Sequence, residues 1–164
     1  MLMLKTFRFD ATDERVFERA AAAGEWAIPG GFLFAGDSTE TLSGKRRQAF
    51  ESGFLGLDSF GWSSFAIVSE IAEERFEELV IGLARRFVRD FGAPDMAAAL
   101  PVARGELEFA RELCCHPVNT VLVVERSLSE EGIRERFRTL RREAAPHARI
   151  WDILEEDGPG ENEP

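Results

Sequence analysis

The chain has 164 residues, of which 45% are hydrophobic and 30% charged, and its formal net charge is −10. A chain of this length buries roughly 70% of its unfolded surface, so a single domain is expected to hold its core without a disulfide or metal staple. The acidic balance argues against a general nucleic-acid or anionic-membrane binder, and no apolar stretch approaches the ~18 residues of a membrane span.

The opening MLMLKTFRFD has too short an apolar patch for a secretory leader, and no small-residue cleavage site follows it. Residues 2–9 alternate around Phe7 and Phe9 and predict a strand. Asp10 to Asp13 reads as a turn or cap. Val16, Phe17, Ala20 and Ala21 then follow helical spacing, although VFERAAAAGEW reads equally as extended. Trp26–Ile28 and Phe32–Ala35 flank Pro29-Gly30-Gly31, a strong turn signal, and predict a bent strand or hairpin. A short helix is expected near Leu42–Phe54, then a glycine-broken loop, then the strand WSSFAIVSEI with Phe65, Ile67 and Ile71 on one face.

Residues 72–91 predict the clearest helix, with Phe76, Leu79, Val80, Leu83, Phe87 and Phe91 as its apolar stripe, Gly82 weakening its middle and Gly92 beyond its end. Asp95 is expected to cap a second helical region that is interrupted or restarted at Pro101 and reaches Cys115. VNTVLVVER reads as the most apolar strand. Ser129 is read as the cap of a third helix carrying Ile133, Phe137, Leu140 and Ala144, and ARIWDIL as the last strand. This order predicts an α+β two-layer sandwich, with a mixed, mostly antiparallel sheet and helices on one face. Residues 1–154 would form the single domain. Residues 155–164, rich in Glu, Gly and Pro, would be an acidic disordered tail.

The densest aromatic and glycine band runs from Gly24 to Ile67 and holds eight of the fourteen glycines. Aromatics contribute large buried area and glycines permit close backbone approach, so the band predicts a tightly turned core, a pocket or a docking surface. Trp26, Phe32, Arg46, Arg47, Phe54 and Trp62 are the candidate ligand- or partner-binding residues within it. Trp62 and Phe65, on a strand, are expected to behave as core; Trp26 and Phe54, beside glycine-rich turns, are expected to be surface anchors.

Elsewhere the chemistry is sparse, and no catalytic residue is assigned. Cys114-Cys115-His116 supplies three consecutive side chains, which are poorly placed to surround one metal ion, and two adjacent cysteines make no disulfide framework. Lys45-Arg46-Arg47 could receive a carboxylate or phosphate through arginine forks, but no P-loop is present: Thr39 stands where its first glycine belongs and Arg46 replaces the hydroxyl. Arg134, Arg136, Arg138, Arg141 and Arg142 are nearly cancelled by Glu130, Glu131, Glu135 and Glu143 and read as a solvated helix face.

Four stretches, GEWAIPGGFLF, GKRRQAFESGFLGLDSFG, Gly92-Ala93-Pro94-Asp95 and His116-Pro117-Val118, resemble a family of short uncharacterised bacterial proteins. The resemblance carries no activity to any residue. It implies a helper role in the company of accessory proteins of molybdenum- and iron–sulfur-dependent formate dehydrogenase-like enzymes. The chain lacks the cysteine clusters needed to hold an iron–sulfur centre itself. The functional expectation is therefore a cytoplasmic, non-enzymatic accessory factor without a cofactor, binding a protein partner or a second copy of itself. A small-ligand binder or enzyme with a pocket in the aromatic half is the alternative.

Overall fold

The computed structural model describes the backbone of residues 1–142 and 151–154, with side chains through Leu140. Among the described residues, eight strands form one sheet: β1 (Leu2–Phe7), β2 (Trp26–Ile28), β3 (Phe54–Gly56), β4 (Trp62–Ser63), β5 (Phe65–Glu70), β6 (Val121–Ser129), β7 (Gly132–Arg142) and β8 (Trp151–Leu154). Their order across the sheet is β4-β3-β2-β1-β5-β6-β7-β8, and every ladder between them is antiparallel. Among the described residues, the isolated bridge between Ala20 and Trp62 is parallel. Four α-helices among the described residues complete an α+β fold: α1 (Thr12–Val16), α2 (Gly44–Ser52), α3 (Glu73–Asp90) and α4 (Met96–Glu112).

The two long helices follow from their sequences. In α3, Phe76, Leu79, Val80, Leu83, Ala84 and Phe87 are buried at helical spacing, with Glu73 and Glu74 complementing the dipole in the first turn. Gly92, at φ 76°, provides the left-handed exit that lets the Ala93 N–H reach back to the Phe87 carbonyl. Gly82 is different: a Cβ there would meet nothing within 4 Å, so no packing demands a glycine that costs roughly 0.5–1 kcal/mol against alanine.

Helix α4 starts where Asp95 accepts the Ala98 N–H at 2.8 Å, a side-chain cap on an otherwise orphaned donor. It runs unbroken through Pro101, so the expected interruption does not occur. Burial of Ala99, Ala103, Leu107 and Ala110 holds it despite the hydrogen bond that Pro101 cannot make. It packs on α3 and on β1 and β2. The main core joins Met3, Leu4, Ile28, Phe54, Leu55, Val68, Phe76, Leu107 and Phe137; a second cluster joins Phe17, Phe34, Leu42 and Phe50.

Three expectations change. Ser129 is no helix cap: its hydroxyl donates to the Gly132 carbonyl (3.0 Å) and accepts the Glu131 N–H (3.3 Å), closing the tip of the β6–β7 hairpin. Ile133, Phe137 and Leu140 have helical spacing, yet Ile133, Glu135, Phe137 and Thr139 also alternate. The antiparallel ladder from Val121↔Leu140 to Ser129↔Gly132 decides for the strand. The charges read as helical neighbours instead pair across strands, as Arg138 does with Glu125 at 3.3 Å. Gly31–Phe34 is a 3₁₀ helix rather than the second arm of a hairpin, because Gly30 at φ 78° turns the chain into it. In β5 the fully buried residues are Ala66 and Val68, while Phe65 and Ile67 are half-buried. Residues 155–164, the expected tail, lie outside the described residues.

Candidate functional site

Two buried charges organise the aromatic and glycine band. Arg126, on β6, points its guanidinium at the C-terminal end of α2 and is 4% exposed. Its Nη1 donates to the carbonyls of Phe50 (3.0 Å) and Gly53 (2.8 Å), its Nη2 to the carbonyl of Pro29, and its Nε to Glu135 Oε2 on β7 (2.7 Å). One side chain thus satisfies helix-end carbonyls that would otherwise be buried without donors. Burial lowers its proton affinity and Glu135 opposes that. Gly31 makes room for the pair: a Cβ there would lie 2.9 Å from the Glu135 carboxylate and 3.4 Å from Arg126 Nε.

Glu25 plays the second part without any cation. Its carboxylate accepts the N–H groups of Ala22 (2.7 Å), Asp58 (3.1 Å) and Ser59 (2.8 Å) and the Ser59 hydroxyl. This joins the GEW stretch to the turn 57–61, and Gly56 permits it, since a Cβ there would lie 2.6 Å from Glu25 Oε1. The turn holds Phe60 at φ 54°, a left-handed conformation that costs a bulky residue on the order of 1–3 kcal/mol. The Phe60 ring is thereby set against the Arg86 guanidinium, 4.0 Å from the ring centroid, within cation–π range.

Glu106, on α4, also feels this site: burial first, and the Glu135 charge second, push its carboxyl up to about 6. Because this is above the ordinary value of 4.5, ionising Glu106 opposes folding. The penalty is absent below about pH 4.5 and full above about pH 6. Glu106→Gln is therefore expected to stabilise the protein near pH 8 by on the order of 1 kcal/mol, with no gain at pH 4. Urea unfolding at the two pH values checks this, and an equal gain at both would contradict the assignment.

Beside the Phe60 ridge lies an open groove of about 400 Å³, lined by Glu18, Arg19, Phe34, Lys45, Arg46, Ala49, Phe60 and Trp62. Trp62 is seated by glycine: a Cβ on Gly53 would lie 2.7 Å from its ring, and one on Gly30 3.1 Å. Phe34 packs on Trp62 (5.2 Å between centroids) and on Phe50 (5.3 Å). Arg46 lies over Phe34 at 5.1 Å and grips Asp37, with Nε to Oδ1 at 3.1 Å. The carboxylate that Arg46 receives is the chain's own, and Arg46 holds the Asp37 carboxyl below its ordinary range. Lys45 and Arg19 are exposed; Lys45 has no ion-pair partner among the described residues, and Arg19 reaches only the Ser59 carbonyl (3.3 Å).

Of the six candidate residues, the structure brings Arg46 and Trp62 into this groove. Arg47 faces a smaller one, of about 250 Å³, on the other side of α2, and pairs with Glu51 at 3.4 Å. Phe32 stands edge-on to Phe87 at 5.3 Å, packing on α3. Trp26 is half-buried, with Lys5 Nζ 4.4 Å from the centre of its ring. Phe54 is no surface anchor: it is 0% exposed and packs on Phe137, because β3 lies inside the sheet. Cys114 is buried, its thiol donating to the Ala110 carbonyl (3.3 Å) and pushed up to about 12 by burial, and Cys115 Sγ lies 3.8 Å from His116 Nε2. Among the described residues, no three His, Cys, Asp or Glu side chains converge to hold a metal ion.

The sequence reading missed Arg126, Glu135, Glu25 and Phe60. Arg126 had a visible signal, standing at the alternate position after Leu122 and Val124 and before Leu128, all on one face of a strand. Phe60 had none.

Residues 1–151 match the profile of a family of unknown function, DUF6505. The chain belongs to that family. This DUF6505 chain matches no curated protein and no solved structure. The lining of the groove at Trp62 offers three cations, one carboxylate and stacked aromatic rings, with no Ser, Cys or His among the described residues. No helix among the described residues is long and apolar enough to cross a membrane.

Proposed function

We propose that this chain is a non-catalytic, cytoplasmic protein-binding factor whose partner docks in the groove at Trp62. The observation that carries this reading is the meeting of Arg46 and Trp62, with Lys45 and Arg19 exposed, around an open aromatic floor whose described lining holds no Ser, Cys or His. Aromatic rings and arginines are the side chains that anchor protein interfaces. The partner presents a carboxylate to Lys45 and Arg19 and an apolar or aromatic group to Trp62 and Phe60. An accessory factor for a redox enzyme system is one place for such a module.

Small-ligand binding is the second reading, favoured by a groove volume inside the range of ligand sites. The test compares the native protein with an Arg19→Glu/Lys45→Glu variant, each purified from its own cell and analysed by cross-linking and native mass spectrometry. Both positions are exposed. Stability should therefore change by no more than about 0.5 kcal/mol. The expected result is a partner cross-linked at this groove in the native protein and lost in the variant. Retention of the same partner by the variant would remove the groove from consideration. A stoichiometric small-molecule mass would decide for the second reading, and loss of a dimer would identify the partner as a second copy.

A further inference from the structure

A second groove, of about 320 Å³, lies across the Phe60 ridge between the turn 57–61 and α3. Four arginines line it, Arg75, Arg85, Arg86 and Arg89, against two carboxylates, Asp58 and Glu78. In a protein with a net charge of −10 this is a concentration of the opposite sign. Arg75 is held by Glu78 (3.0 Å), Arg89 by Asp90 (2.9 Å), and Arg86 lies over Phe60. Arg85 is exposed and has no ion-pair partner among the described residues.

In the middle of this stripe sits Gly82, exposed and with open space where its side chain would be. It is helical, it permits no close approach of another element, and it weakens the longest helix of the fold. A glycine at such a position leaves the helix backbone open to close approach by another chain. Leu79 and Leu83 flank it and give the notch an apolar floor.

We infer that this groove is a docking site for an extended acidic segment of a protein, whose carboxylates meet the arginines while one apolar side chain enters the Gly82 notch. Arg75 to Arg89 spans fourteen residues, about 21 Å along a helix. That length matches six or seven residues of extended chain at about 3.3 Å each and exceeds what a single small anion could bridge. The apolar notch has no use for a phosphate chain, and a nucleic acid longer than the groove would be repelled by the acidic remainder of the protein. This inference stands apart from docking at Trp62, since the two grooves share only Phe60 among their lining residues.

The experiment is fluorescence anisotropy on the full chain at low ionic strength, with a labelled Glu-Glu-Leu-Glu-Glu-Leu-Glu peptide and, in parallel, a labelled oligothymidine of similar charge. Saturable binding of the peptide is expected, weakened at least tenfold by Gly82→Gln and by the Arg85→Glu/Arg89→Glu pair, and unchanged by Arg134→Glu, an exposed position on the β6–β7 hairpin that lines neither groove. Gly82→Gln is the decisive variant: it alters no charge, and its melting temperature should hold or rise. Absence of saturable peptide binding, equal affinity in Gly82→Gln, loss of binding in Arg134→Glu, or tighter binding of the oligothymidine would each overturn the inference.

Discussion

Replacing Arg126 by Leu is expected to destabilise the protein by about 3–5 kcal/mol at neutral pH, the range for breaking a buried ion pair from one side. The substitution strands the Glu135 carboxylate next to Glu106 and leaves the carbonyls of Pro29, Phe50 and Gly53 without their donor. Leucine supplies apolar volume but none of the donors, so filling the space does not offset the loss. The deficit should shrink as the pH falls towards 5, because Glu106, whose carboxyl is already pushed up to about 6, takes up its proton and the repulsion is relieved. Arg126→Lys should fall between the two, since an ammonium carries the charge but cannot present the planar fork that reaches carboxylate and carbonyls together. Urea unfolding at pH 7 and pH 5 measures both statements. A loss below about 1 kcal/mol would mean that Arg126 is not the fastener of α2 to the sheet.

Phe54→Ala should cost about 3–5 kcal/mol by cavity formation, although Phe54 sits next to Gly53 in a stretch that reads as a turn. Its ring is fully buried and lies 6.3 Å, centre to centre, from that of Phe137. Trp26→Ala should cost less, because Trp26 is only half-buried and Lys5, a long flexible side chain, lies over its ring. Chemical denaturation of the two variants decides the order. Equal losses would show that Trp26 carries more of the core than its exposure indicates, whereas a small loss at Phe54 would contradict the placement of β3 inside the sheet.

Locally encoded features were legible in the chain. The stripe of Phe76, Leu79, Val80, Leu83 and Phe87, closed by Gly92, specifies α3 without reference to anything else, because helix periodicity and capping are properties of neighbouring residues. The same holds for Asp95 as the cap of α4 and for the apolar run of β6. The band from Gly24 to Ile67 was also visible as a place of special packing, and Arg46 and Trp62 within it do meet in one groove.

Tertiary structure alone decided the rest. Residues 132–142 satisfy a helical and a strand pattern at once, and only pairing with Val121–Ser129 selects the strand. That pairing in turn places Arg126 and Glu135 side by side and inside, where spacing along one chain had suggested a solvated helix face. The glycines near them looked like turn formers. Gly31 and Gly56 prove to be clearances for the carboxylates of Glu135 and Glu25, and a clearance is defined by what stands opposite, which no local stretch contains. The arginine groove has the same origin: Arg75, Arg85, Arg86 and Arg89 are ordinary surface charges of an amphipathic helix until the turn carrying Phe60 closes over them.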